Sequence, residues 1–177
     1  GILGIDLDAN PWSLSLEGGF ATGDSDPSDE KIKTFSFDRD YNVGLMLFER
    51  PMPVLAAASP NELNGGSNYD LVQTGDRISN AIYLHAMLGR ELVDNLDLQF
   101  QLIGARAAKL PTSENLRQSY GLEFDLGLSY QPYEQVDLRA TGGLFLPGSR
   151  FSAYTDDNYD GFDSPAFGAQ VVGTVSF

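Results

Sequence analysis

A period of two runs through most of this chain and constrains it more than any other feature. In residues 95–108, Leu96, Leu98, Phe100 and Leu102 alternate with Asp97, Gln99 and Gln101. Side chains that alternate in polarity define the two faces of a β-strand. Residues 119–131 follow the same rule: Tyr120, Leu122, Phe124, Leu126, Leu128 and Tyr130 share one face, and Gly121, Glu123, Asp125, Gly127, Ser129 and Gln131 the other. Residues 136–146 set Val136, Leu138, Ala140, Gly142, Leu144 and Leu146 against Asp137, Arg139 and Thr141. The last run places Phe167, Ala169, Val171, Gly173, Val175 and Phe177 opposite Gln170, Thr174 and Ser176. Near the start, residues 12–23 turn Trp12, Leu14, Leu16, Gly18 and Phe20 away from Ser13, Ser15 and Glu17, and Leu3, Ile5 and Leu7 alternate with Gly4, Asp6 and Asp8. Residues 78–88 complete the set, giving seven strand-like runs.

The connections alternate as well. Residues 8–11, 90–94 and 132–135 make short turns, whereas 109–118 and 148–163 are longer and polar, and 24–77 is one long excursion. Short turns at one end and long loops at the other are the habit of up-and-down barrels in outer membranes, with the short turns periplasmic. A structureless loop as long as 24–77 is unusual in a compact domain. It holds an apolar run, 43–48, expected to form part of a strand pair above a membrane or a segment folded into a pore.

No stretch approaches the roughly 18 to 20 apolar residues of a membrane-spanning helix, but barrel strands show lipid only every second residue and average out as half polar. A composition of 42% hydrophobic and 11% aromatic residues excludes a disordered chain. A net charge of -14 without a basic stripe excludes nucleic acid as a partner. With no cysteine there is neither a disulfide nor a thiolate metal site. A soluble sandwich also alternates, its apolar side turned to a core. Aromatic residues favour lipid instead: Trp12, Tyr130, Tyr133 and Phe177 gather at the short-turn end, as amphipathic rings do at a membrane interface.

The expected fold is therefore all-β: a transmembrane antiparallel up-and-down β-barrel, of which about seven strands are visible as the C-terminal part of a larger barrel. Bacterial barrels close with an even number of strands, so further strands upstream are expected. Residues 1–177 then belong to one barrel domain, with 24–77 as a long extracellular or pore-inserted loop. The polar faces supply the expected pore lining: Glu17, His85, Asp97, Gln99, Gln101, Glu123, Asp125, Asp137 and Arg139.

The ending Gln170-Val171-Val172-Gly173-Thr174-Val175-Ser176-Phe177 resembles the C-terminal signal that barrel-assembly machinery recognises in bacterial outer-membrane proteins. Phe177 matches its final aromatic, Val175 its apolar residue and Gln170 its polar residue; the glycine falls one place late, at Gly173. The first half of the chain resembles alginate-export-type porins. That likeness lies in the run Trp12 to Asp24 with its acidic continuation, in Phe35-Ser36-Phe37-Asp38-Arg39-Asp40-Tyr41, and in Asn80 opening the next strand. It implies a large single-chain barrel in a Gram-negative outer membrane, bounded by membrane lipid and lipopolysaccharide and open to envelope protein partners. Alginate-conducting members have a cationic pore, whereas the lining expected here is acidic, so the substrate does not carry over.

No enzyme is expected. His85 is the only histidine and has no triad partners spaced near it. Glu123 and Asp125 lack the closed cleft that a glycosidase pair needs, and Gly18-Gly19 and Gly142-Gly143 mark strand bends or close backbone approach rather than phosphate loops. The remaining functions are a passive channel for small solutes and a structural barrel plugged within a larger envelope complex. No cofactor is required, and Ca²⁺ is the one ion with a candidate site: Asp156, Asp157, Asn158 and Asp160 alternate oxygen donors before Gly161, with Asp163 in place of the missing distal glutamate. The acidic cluster Asp24, Asp26, Asp29 and Glu30 is a weaker version of the same idea. A solvated loop and a calcium site separate by titration: bound Ca²⁺ raises the melting temperature at millimolar concentration, and a solvated loop gives no response.

Overall fold

The computed structural model of the chain describes residues 1–23, 33, 35–38, 40–48, 78–109, 118–149 and 164–176. Seven strands make it up: β1 (Ile2–Ala9), β2 (Trp12–Ala21), β3 (Ala81–Val93), β4 (Leu96–Ala107), β5 (Ser119–Tyr133), β6 (Val136–Pro147) and β7 (Ala166–Val175). All neighbours are antiparallel, and the order in the sheet is the order in the chain. The seven alternating runs are these seven strands. The sheet is open rather than closed into a barrel, with β1 and β7 as its two edges.

Tight turns at residues 10–11, 94–95 and 134–135 join β1 to β2, β3 to β4 and β5 to β6, so all three lie at one end of the sheet. β3 runs further than the sequence suggests: it continues through Glu91 to Val93 across a register shift, and the turn tightens to Asp94-Asn95. Asn95 takes a φ of 67°, which an asparagine tolerates better than most side chains. At the opposite end β2 and β3 are direct neighbours, and no described residue of the excursion between them forms a strand of the sheet. Its described part instead begins with one bridge, Ser36 to Ser79, and then lies across one face.

Register sorts the side chains into two faces. One row crosses from β2 to β7 as Leu16, Ala86, Leu102, Phe124, Leu144 and Phe167. The row behind it reads Glu17, His85, Ile103, Glu123, Phe145 and Ala166. Their exposure is the reverse of a soluble sheet. On the leucine face, Leu84 is 62% exposed, Leu126 54% and Val171 82%; on the carboxylate face, Glu123 is 0% and Asp125 2% exposed. The buried cluster lies on the carboxylate face, toward the long connections, where Phe37, Val43, Met46, Leu47 and Phe48 meet Ala81, Tyr83, Ile103, Tyr120 and Phe145.

Tyr120 departs from simple alternation. Strict parity places it beside Leu122 on the leucine face, but it is fully buried in the opposite cluster. A β-bulge is the cause: Ala105 pairs with Gly121 and Arg106 with Ser119, which leaves Tyr120 as the extra residue. Gly121 supports the bulge with a φ of 121°, and a Cβ there would sit 2.2 Å from the Leu146 carbonyl oxygen. Gly127 on the same strand meets nothing closer than 3.7 Å. Gly121→Ala is therefore expected to cost about 1–3 kcal/mol of backbone strain, and Gly127→Ala to stay within about 0.5 kcal/mol; denaturant unfolding of the two variants checks this.

Candidate functional site: a strap clasped to the carboxylate face

Residues 35–38 and 40–48 form a strap over the carboxylate face. Its base is held by backbone: Phe35 donates to the Thr22 carbonyl at 3.2 Å and Phe37 to the Ile78 carbonyl at 2.9 Å. A turn follows, in which the Asp40 amide donates to Asp38 Oδ1 and the Tyr41 amide to the Asp38 carbonyl. The turn delivers the Tyr41 ring onto Phe37, stacked at 5.3 Å. It also brings the Tyr41 hydroxyl to Glu17 Oε1, where the Tyr83 hydroxyl donates as well at 2.7 Å; the two hydroxyls lie 2.7 Å apart. Burial first, and then the hydrogen bond to Glu17, push the Tyr41 phenol above its ordinary pKa.

The tip of the strap is held differently. Leu45 donates its backbone N–H to Asp125 Oδ2 at 3.1 Å, Met46 to Glu123 Oε1 at 2.7 Å and Leu47 to Glu123 Oε2 at 2.5 Å. Three successive amides thus converge on two buried carboxyls. A buried carboxyl is tolerable only with such donors. Asp125 Oδ1 accepts no hydrogen bond, although it is buried. Phe48, which ends the tip, sits at a φ of 72°. For a bulky aromatic this is a strained backbone, worth about 1–3 kcal/mol.

Missing side chains on the strands make room for the strap. A Cβ at Gly168 would lie 3.0 Å from Met46 Sδ, and one at Gly143 would lie 2.4 Å from Asp125 Oδ1 and 3.1 Å from Leu45 Cδ2. Gly143 and Gly168 are paired in register, so together they form one shallow seat for Leu45 and Met46. Gly19 does the same for the Tyr83 ring, whose Cε1 would fall 2.0 Å from its Cβ. The strap returns the fit: a Cβ at Gly44 would be 2.9 Å from Glu123 Oε2 and from Ile103 Cδ1.

Toward the tight turns the carboxylate face is polar, and no described segment lies over it. His85 Nε2 meets Gln101 Oε1 at 2.9 Å, Gln101 donates to Gln99 Oε1 at 3.1 Å, and Gln99 donates to the Met87 sulfur at 2.7 Å. Ser129 donates to Asp137 Oδ2 at 3.3 Å, and Asp97 and Arg139 are exposed. A recess of about 440 Å³ opens here, lined among others by Asp8, Ser13, Asp97, Gln99, Ser129 and Arg139.

The nine residues expected to line a pore all project from one face, yet they do not share one environment. Glu17, His85, Asp97, Gln99, Gln101, Asp137 and Arg139 are at least partly exposed, whereas Glu123 and Asp125 are sealed beneath the strap rather than bathed in water. Sequence reasoning gave these two no burial because the cover comes from residues about eighty positions earlier. It also missed Tyr41 and Tyr83. The apolar run 43–48 was the visible signal that something packs there. Asp156, Asp157, Asn158, Asp160 and Asp163 lie outside the described residues, as do Asp24, Asp26, Asp29, Glu30 and Phe177. Gln170 faces Thr141 on the carboxylate side, and Val175 pairs with Val136 on the leucine side. Compared with models of protein families, with curated proteins and with solved structures, the chain matches none.

The clasp can be tested directly. Glu123→Leu leaves the Met46 and Leu47 amides without their acceptor, at about 1–3 kcal/mol for each buried donor. Limited proteolysis with mass spectrometry is expected to find new cleavage within residues 43–48 in this variant, while the strands stay protected.

Proposed function

We propose that this chain forms wall strands of an outer-membrane β-barrel channel that passes small solutes without catalysis. One observation carries the proposal. The strap covers the side bearing carboxylates, and no described residue outside the strands covers the leucines, which stay exposed. In water this arrangement is backward. Soluble monomers rarely expose contiguous apolar patches beyond a few hundred Å², and here the apolar rows run across the sheet from β1 to β7. In a bilayer the same surface meets hydrocarbon and the polar face turns to a lumen.

The rims of the leucine face agree with this orientation. Trp12 carries the Arg90 guanidinium 4.8 Å above its ring, and Tyr130 and Tyr133 stand at the same tight-turn end of the sheet, on β5. Phe20 marks the other end of β2. From Trp12 to Phe20 the strand is about 26 Å long at roughly 3.3 Å per residue, and at a tilt of about 40° it rises about 20 Å, most of the ~25 Å apolar band of such barrels. The free edges of β1 and β7 then join further strands on closure, since an open edge is not viable in hydrocarbon. Gln170 and Val175 on β7, with Phe177, would be read by assembly machinery, and lipid with lipopolysaccharide would surround the wall. The sealed upper part of the carboxylate face favours a second reading, a barrel whose strap plugs it within a larger envelope complex.

Planar-bilayer recording separates the two. Steady conductance with cation preference is expected from a channel whose uncovered wall bears Asp97 and Asp137, and reversal of both to lysine should move the reversal potential toward anions. Silence from well-folded protein supports the plug, and solubility without detergent removes both readings.

A further inference from the structure

We propose that the tip of the strap, residues 43–48, is a gate that lifts from Glu123 and Asp125 while its base stays fixed. This rests on the channel reading above. The two parts of the strap are attached by different means. The base is tied by backbone hydrogen bonds to Thr22 and Ile78 and by the bridge between Ser36 and Ser79. The three tip amides bind carboxylate side chains instead, and their partners lie 76 to 80 residues away. The tip can leave without breaking a strand ladder, because β2 to β7 are fully paired with one another beneath it.

Two features of the docked state favour lifting. Phe48 is held at a φ of 72°, which an undocked backbone would relax. Asp125 Oδ1 is buried without a donor, and lifting gives it water. Opposing these are the two amide bonds to Glu123, the seats of Leu45 and Met46 over Gly143 and Gly168, and the burial of Val43, Met46, Leu47 and Phe48 in the apolar cluster. A segment with few ties to the strand ladders can open locally while the sheet beneath it stays folded. With the tip raised, both carboxyls face the lumen, so the open state presents more acceptor oxygens to passing cations than the closed one.

The chain has no cysteine, which permits a clean tether. An ideal Cβ at Gly168 lies 3.1 Å from Met46 Cγ, the atom whose place the sulfur of Met46→Cys would take, and standard disulfide geometry puts that sulfur about 3 Å from the opposite Cβ. In the barrel-forming protein, oxidised Met46→Cys/Gly168→Cys is expected to hold one low-conductance level, and reduction to restore transitions to a higher one. Gly44→Val, which pushes the tip off Glu123, should favour the higher level. Separately, a water-soluble maleimide should label Met46→Cys slowly in folded protein, and about tenfold faster when Glu123→Gln and Asp125→Asn are added. Fully oxidised protein that conducts and fluctuates like the reduced form would overturn the gate. Should no form conduct, the channel reading fails on its own, and labelling still decides: acceleration supports a lifting tip, and an unchanged rate overturns it.

Discussion

Two carboxyl groups taken out of water set the terms for the rest of this face. Glu123 and Asp125 are buried, and a carboxylate in an apolar setting persists only where donors surround it. Strand neighbours cannot supply them, because the amides of β4, β5 and β6 are engaged in their own ladders. The donors come from successive amides of the strap, whose backbone is not paired in a sheet and has the converse need. Wall and strap are thus each incomplete alone. The glycines at 19, 143 and 168 and the ring cluster of Phe37, Tyr41, Phe48 and Tyr83 follow from this one contact, since they shape the surfaces that bring it together.

Only part of this was legible in the chain. Alternation exposed all seven strands because it is a local property: Leu122, Phe124, Leu126 and Leu128 declare their face without reference to anything distant. The tight turns were legible to within a few residues, and β3 overran its expected end because a register shift at Glu91 absorbs residues into the strand. Tyr120 deceived the pattern for a related reason. One extra residue in a bulge reverses the parity beyond it, and Gly121 signals such a bulge only once its backbone angle is known. The burial of Glu123 and Asp125 was out of reach, because alternation reports which face a residue joins and not what lies over that face. The apolar run at 43–48 and Tyr83, on the same face as His85, hinted that the polar side carries a local apolar patch.

The chemistry of the clasp also distributes its dependence on sequence unevenly. Backbone amides are present in every residue but proline, so the side chains of Leu45, Met46 and Leu47 matter for packing and not for binding the carboxyls. Glu123 has no such freedom. It must reach two amides at once, which the two oxygens of a carboxyl do and the single oxygen of an amide side chain does not do equally well. A lysine or arginine at the tip, within residues 43–48, would have been the obvious partner for a buried acid, and would have fixed the tip by a buried ion pair that is costly to break. Polar backbone groups make a weaker and geometrically exacting partner. They bind the carboxyls while the tip is folded in one conformation, and they can bond to water in another. A strap held this way is matched to its wall through shape and hydrogen-bond direction, and its attachment is the part of the face most responsive to a single substitution.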